Sequence, residues 1–76
     1  MNENEIVRAV MQKKGYTQIT LAEKAGMKYQ SNVSEILRSK SMRVDNFIRL
    51  LNAMDCSLVV VSNNSADEWV VENSEK

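Results

Sequence analysis

The sequence predicts a mainly α fold, four short helices followed by a C-terminal β-hairpin. Three observations predict it. Apolar residues recur at helical spacing from Ile6 through Met54. Two glycines, Gly15 and Gly26, punctuate that stretch, and proline is absent. After Asp55 the pattern changes to two β-branched runs, Leu58-Val59-Val60-Val61 and Trp69-Val70-Val71, around an Asn- and Ser-rich segment.

The elements follow in order. A first helix runs from about Glu3 to Lys14, with Ile6, Val7, Val10 and Met11 on one face, and Gly15 stops it. Thr17 caps the second helix, Gln18 to Ala25, by accepting from an exposed backbone N–H. Leu21, Ala22 and Ala25 share its inner face, and Gly26 ends it. The third helix, Gln30 to Arg38, turns Val33, Ile36 and Leu37 inward. The fourth, about Arg43 to Met54, carries one broad apolar stripe of Val44, Phe47, Ile48, Leu51 and Met54. Asp45 sits in its first turn, where the helix dipole favours negative charge. Met11, Met27, Met42 and Met54 are packing residues in this scheme. A hairpin with a loop of about six residues, Asn63 to Glu68, closes the chain.

A chain of 76 residues is one domain with a modest core, and chains this short often rely on disulfides, metals or a second subunit. Cys56 is the only cysteine and histidine is absent, so no disulfide and no structural zinc site is expected. The Cys56 thiol is expected to be buried and inert. Self-association remains. The first strand is apolar on both faces, so both should be covered, and a lone hairpin leaves an open edge. Pairing with the same hairpin of a second copy answers both needs, making Leu58, Val59, Val60, Val61, Trp69 and Val71 the expected interface of a homodimer. The alternative is a monomer whose hairpin lies flat against the first or fourth helix. Trp69 is expected to anchor either the interface or the core. Residues 1–56 would then form the working body, and residues 57–76 the pairing element with a short acidic tail.

Net charge is zero, but residues 1–50 carry a balance of +4 and residues 51–76 a balance of −4. A basic body with an acidic end points to a polyanion-facing surface. The acidic start, Met1 to Glu5, has no apolar stretch behind it, so no secretory signal is expected. The longest aliphatic run, Leu58 to Val61, is too short to cross a bilayer. The expected location is cytoplasmic, without a membrane partner. No carboxylate pair, glycine-rich phosphate loop or nucleophile–base set stands out. An enzyme, a cofactor and a small-molecule substrate are accordingly not expected.

The second and third helices are joined by a short turn at Gly26, with small Ala22 and Ala25 where they approach closely. That is the helix-turn-helix arrangement, in which one helix braces on the DNA backbone while the next enters the major groove. The stretch Thr17-Gln18-Ile19-Thr20-Leu21-Ala22-Glu23-Lys24-Ala25-Gly26-Met27, followed by Val33-Ser34-Glu35-Ile36-Leu37, resembles the phage-repressor-like family of Cro-type regulators (the XRE family). The shared features are a glutamine opening the second helix, Leu-Ala at its middle, an Ala-Gly-aliphatic turn, and an aliphatic-serine pair in the third helix. The resemblance spans about Glu5 to Leu58. It implies a four-to-five-helix phage-repressor-like DNA-binding domain. It also implies base readers at Gln30, Ser31 and Glu35, and a phosphate contact at Gln18. Two features depart from the family. The spacing from Gly26 to Val33 is one residue longer than usual, and Arg43 stands where a small hydroxyl cap is preferred.

The third helix can also be read alone. At about 100° per residue, Ser31, Ser34, Glu35 and Arg38 fall opposite Val33, Ile36 and Leu37. Gln30 and Asn32 flank them at the N-terminal end, the end that enters the groove. Glutamine and asparagine suit adenine, serine several base edges, glutamate the cytosine amino group and arginine guanine. An ordinary solvated helix shows the same polar face; the upstream motif tips the reading toward DNA. Arg38, one turn on, is expected to pair with Glu35. Thr17, Gln18, Lys28, Lys40 and Arg43 are the candidate phosphate contacts, with Tyr29 either touching phosphate or packing on Met27. The expected function is a sequence-specific double-stranded DNA-binding regulator, a repressor that binds a palindromic operator as a homodimer. The first alternative is an antitoxin that neutralises a partner toxin and autoregulates its promoter, with the acidic stretch Glu68 to Glu75 facing a basic partner. The second is a protein-interaction module without DNA binding.

Overall fold

The computed structural model of the chain describes residues 1–73, so Glu75, with which the acidic tail ends, lies outside the described residues. Four helices and one two-stranded sheet follow in order: α1 (Glu3–Lys14), α2 (Gln18–Lys24), α3 (Gln30–Arg38), α4 (Val44–Ala53), β1 (Leu58–Val61) and β2 (Glu68–Val71). α1 and α3 occupy their predicted spans. α2 and α4 are shorter than expected because Ala25, Arg43 and Met54 serve as caps rather than helical residues.

Local chemistry sets these boundaries. Asn2 and Glu5 form a reciprocal capping box at the start of α1, each side chain bonding the other's backbone at 2.9 Å. Thr17 and Thr20 do the same for α2. α2 ends in a Schellman turn, with Met27 N–H donating to the Ala22 carbonyl at 2.9 Å and Gly26 N–H to Glu23 at 3.2 Å. Gly26 has φ +73° there, a left-handed conformation that glycine adopts at no steric cost. α4 closes the same way, but Asp55 (φ 64°) fills the left-handed position, and Cys56 N–H reaches the Leu51 carbonyl at 2.8 Å.

α4 is the central beam, packing against both α1 and α2, while α2 packs against α3. Val7, Leu21, Val33, Leu50 and Met54 are fully buried between them. Each buried side chain of this size contributes about 1.5–3 kcal/mol through the hydrophobic effect. The four methionines read as packing residues behave as such: Met11, Met42 and Met54 are buried and Met27 packs against the core. The apolar stripe of α4 needs correction at two places. Val44 is 62% exposed, because as the first helical residue it projects beyond the packed length of the helix. Leu50, outside the predicted stripe, is buried completely. Cys56 is half-buried against the core rather than sealed within it.

The hairpin is antiparallel, with Leu58 opposite Val71, Val59 opposite Val70, Val60 opposite Trp69 and Val61 opposite Glu68. Leu58 and Val71 are half-buried at its root. Leu58 packs on the core, and Val71 shares a hollow of about 550 Å³ with Val44 and Ile48. Beyond that root nothing among the described residues covers the strands. Val59, Val60, Val61, Trp69 and Val70 are all exposed. The expectation that both faces of β1 are covered is therefore not met within one chain, and neither α1 nor α4 receives the hairpin flat. Trp69, 57% exposed, is not a core anchor.

Candidate nucleic-acid interface

α3 places its polar side where the sequence puts it. Gln30, Ser31, Asn32, Glu35 and Arg38 are all exposed, while Val33 and Leu37 are buried and Ile36 is half-buried. The helix therefore presents a polar ridge to solvent over a firmly packed apolar base. Its N-cap, Tyr29, offers no side-chain hydrogen bond; Asn32 N–H donates to the Tyr29 carbonyl at 3.1 Å, and the N–H groups of Gln30 and Ser31 receive no side-chain cap.

Ser34 differs from its neighbours. It is half-buried, and its hydroxyl donates to Gln18 Oε1 at 2.9 Å. This bond ties the start of α2 to the middle of α3 and occupies the one O–H donor of Ser34. It also orients the Gln18 amide, because with Oε1 turned to Ser34 the Nε2 donors point elsewhere. Ser34 is better described as a brace than as a free reader. The rotational position of Ser34 on α3 is compatible with either role; only the approach of α2 decides between them.

The remaining candidates differ in how free they are. Thr17 is exposed, but its hydroxyl is engaged in the α2 capping box. Lys28 is exposed and lies 5.5 Å from the centre of the Tyr29 ring. Tyr29 is 59% exposed. Lys40 is exposed. Arg43 is exposed at the N-cap of α4, 3.2 Å from the Asp45 carboxylate. An ion pair so open to water is worth well under about 1 kcal/mol, so little holds the guanidinium back from a phosphate. Glu35 does not pair with Arg38; the ion pair found among the described residues is Arg43–Asp45. Glu35 and Arg43 instead line one shallow hollow of about 270 Å³ between α3 and α4.

Arg43→Ala is expected to weaken binding to all duplex sequences alike and to flatten the dependence of affinity on salt by about one unit. Titrations at several salt concentrations check this, and an unchanged slope removes Arg43 from the contact set.

Two residues that fasten the motif lie outside the stretch that carries its pattern. Arg49, half-buried on α4, donates from Nε to the Ala25 carbonyl at 2.8 Å and from Nη2 to Gly26 at 3.2 Å. A cation at the end of a helix satisfies carbonyls that have no intrahelical partner. Asn4 of α1 does the same for α3, its Nδ2 reaching Leu37 at 3.0 Å and Ser39 at 2.7 Å. Arg49 had a faint signal, a lone cation between Ile48 and Leu50. Asn4 had none.

Among the described residues no group of three or more His, Cys, Asp or Glu side chains could hold a metal ion, and no helix is long and apolar enough to cross a membrane. No curated protein and no solved structure matches the chain. A family model described as helix-turn-helix (HTH_3) matches residues 7–61, a span running from α1 through β1. With the packed α2–turn–α3 unit and the exposed ridge of α3, this match shows that the chain belongs to the helix-turn-helix family of Cro- and repressor-like DNA-binding transcriptional regulators.

Proposed function

We propose that the chain represses transcription by binding a palindromic operator as a homodimer, with α3 in the major groove. The observation that carries the reading is the open N-terminal face of α3, where Gln30, Ser31 and Asn32 stand exposed in the first turn. Gln30, Ser31, Asn32 and Glu35 are the base readers in this scheme, with Arg38 at the far end of the ridge. Gln18, Lys28, Tyr29, Lys40 and Arg43 hold the backbone. Phosphate contacts of this kind fix register and orientation, while base-edge contacts supply the sequence preference. Residues 1–56 form the reading body, and residues 57–76 join two copies through the hairpin. Such a regulator works where the genome lies, in the cytoplasm. Two-fold symmetry places the two α3 helices about one turn of DNA, ~34 Å, apart.

Selection from a random duplex library tests the whole scheme. Enrichment of inverted repeats with half-site centres about 10 base pairs apart is expected; no enrichment at low salt defeats it. A narrower test concerns the first turn of α3. Gln30→Ala should weaken binding to the selected operator by about 1–3 kcal/mol and leave binding to random DNA nearly unchanged. An equal loss on both would move Gln30 to the backbone contacts.

A further inference from the structure

The phase of the hairpin hydrogen bonds fixes which backbone groups face outward. Ser62 N–H donates to the Asp67 carbonyl at 3.1 Å, directly continuing the register in which Val61 opposes Glu68. In an antiparallel ladder, hydrogen-bonded and non-hydrogen-bonded pairs alternate. Val60–Trp69 and Leu58–Val71 are therefore bonded pairs, and the N–H and C=O groups of Val59 and Val61 point away from β2. The outer edge of β1 thus offers two donors and two acceptors.

That edge carries none of the devices that normally block strand pairing. Proteins guard open edges with charges, proline or bulges. From Ser57 to Ala66 there is no charged residue and no proline, and the register is regular. The outer edge of β2 is different, since Glu68 lies in the strand and Glu72 directly follows it. Pairing two copies through β2 would bring four carboxylates onto the central strands, where facing like charges repel. Pairing through β1 leaves them on the outer strands.

We infer that two copies of this chain join β1 to β1 in antiparallel register centred on Val60, forming a continuous four-stranded sheet. The inference rests on the hairpin being the pairing element of the proposed homodimer and specifies which edge and which register. With Val60 opposite the partner's Val60, Val59 of each chain faces Val61 of the other. All eight outward groups are then used, in four inter-chain hydrogen bonds. Val60 and Trp69 share a face, being cross-strand neighbours. The junction therefore aligns Trp69 and Val60 of each chain in one row, Val60 beside Val60 at its centre, and covers valines that are 39–55% exposed in the single chain.

Cysteine cross-linking of the full chain in a Cys56→Ala background tests the register. Across a non-hydrogen-bonded pair the Cα atoms lie about 4.5 Å apart, within the disulfide range. Val60→Cys should convert almost completely to a covalent dimer under mild oxidation, whereas Trp69→Cys and Val70→Cys should stay largely uncoupled. Preferential coupling through either β2 position, or equal coupling at all three, overturns the inference. Sedimentation of the unmodified chain separates the two levels of failure. A monomer removes the dimer and this register together. A dimer that fails to couple through Val60→Cys removes the register alone and leaves operator binding as a homodimer intact.

Discussion

Leu50→Ala should cost about 2–5 kcal/mol of folding stability, the range for truncating a leucine where the surroundings cannot collapse into the space. Leu50 is completely buried on the helix that packs against both α1 and α2. At roughly 0.05–0.15 kcal/mol per residue, a chain of 76 residues has about 4–11 kcal/mol in hand. The substitution therefore removes a large share of the total and should lower the melting temperature by tens of degrees. Val44→Ala is the internal control. Val44 belongs to the same helix and to the stripe read from the sequence, yet it is exposed, and its truncation should cost less than about 0.5 kcal/mol. Urea unfolding of both variants checks the contrast. Equal costs would mean that α4 is rotated about its axis, with Val44 turned inward.

Val60→Asp should abolish pairing and lower operator affinity by about 10²–10⁴-fold, the usual gain from joining two binding modules in one assembly. Val60 is 51% exposed in the single chain, so the carboxylate meets water in the monomer and the fold is retained. In the paired sheet it would face an identical carboxylate across a few ångströms, with both partly withdrawn from water. Circular dichroism should be unchanged while sedimentation shifts to the monomer. Undiminished operator affinity in a variant shown to be monomeric would mean that one copy suffices.

The helix boundaries were legible because their signals are local. Thr17 and Gly26 act within one helical turn, and each does in the structure what its residue type suggests. The polar ridge of α3 was legible for the same reason, since rotation about one helix axis needs no knowledge of neighbours. What failed depended on neighbours. Ser34 lies on the polar side of its own helix, but the approach of Gln18 turns it into a brace. Val44 fits the period of α4 but lies beyond the packed length. Glu35 and Arg38 have helical spacing for an ion pair, yet pair spacing supplies only a few tenths of a kcal/mol and does not compel contact in water. The open hairpin is a failure of another kind, because the double-sided apolar pattern of β1 calls for cover that the neighbouring helices of the same chain do not supply.

Arg49 and Asn4 reach across 24 to 35 residues to hold the carbonyl ends of α2 and α3, and this changes how the motif tolerates variation. The bonds that hold the end of α3 come from Asn4, outside the connector, so a longer connector should leave the pose of α3 unchanged. Drift in connector length should then be common among close homologues of this chain, and loss of the arginine rare.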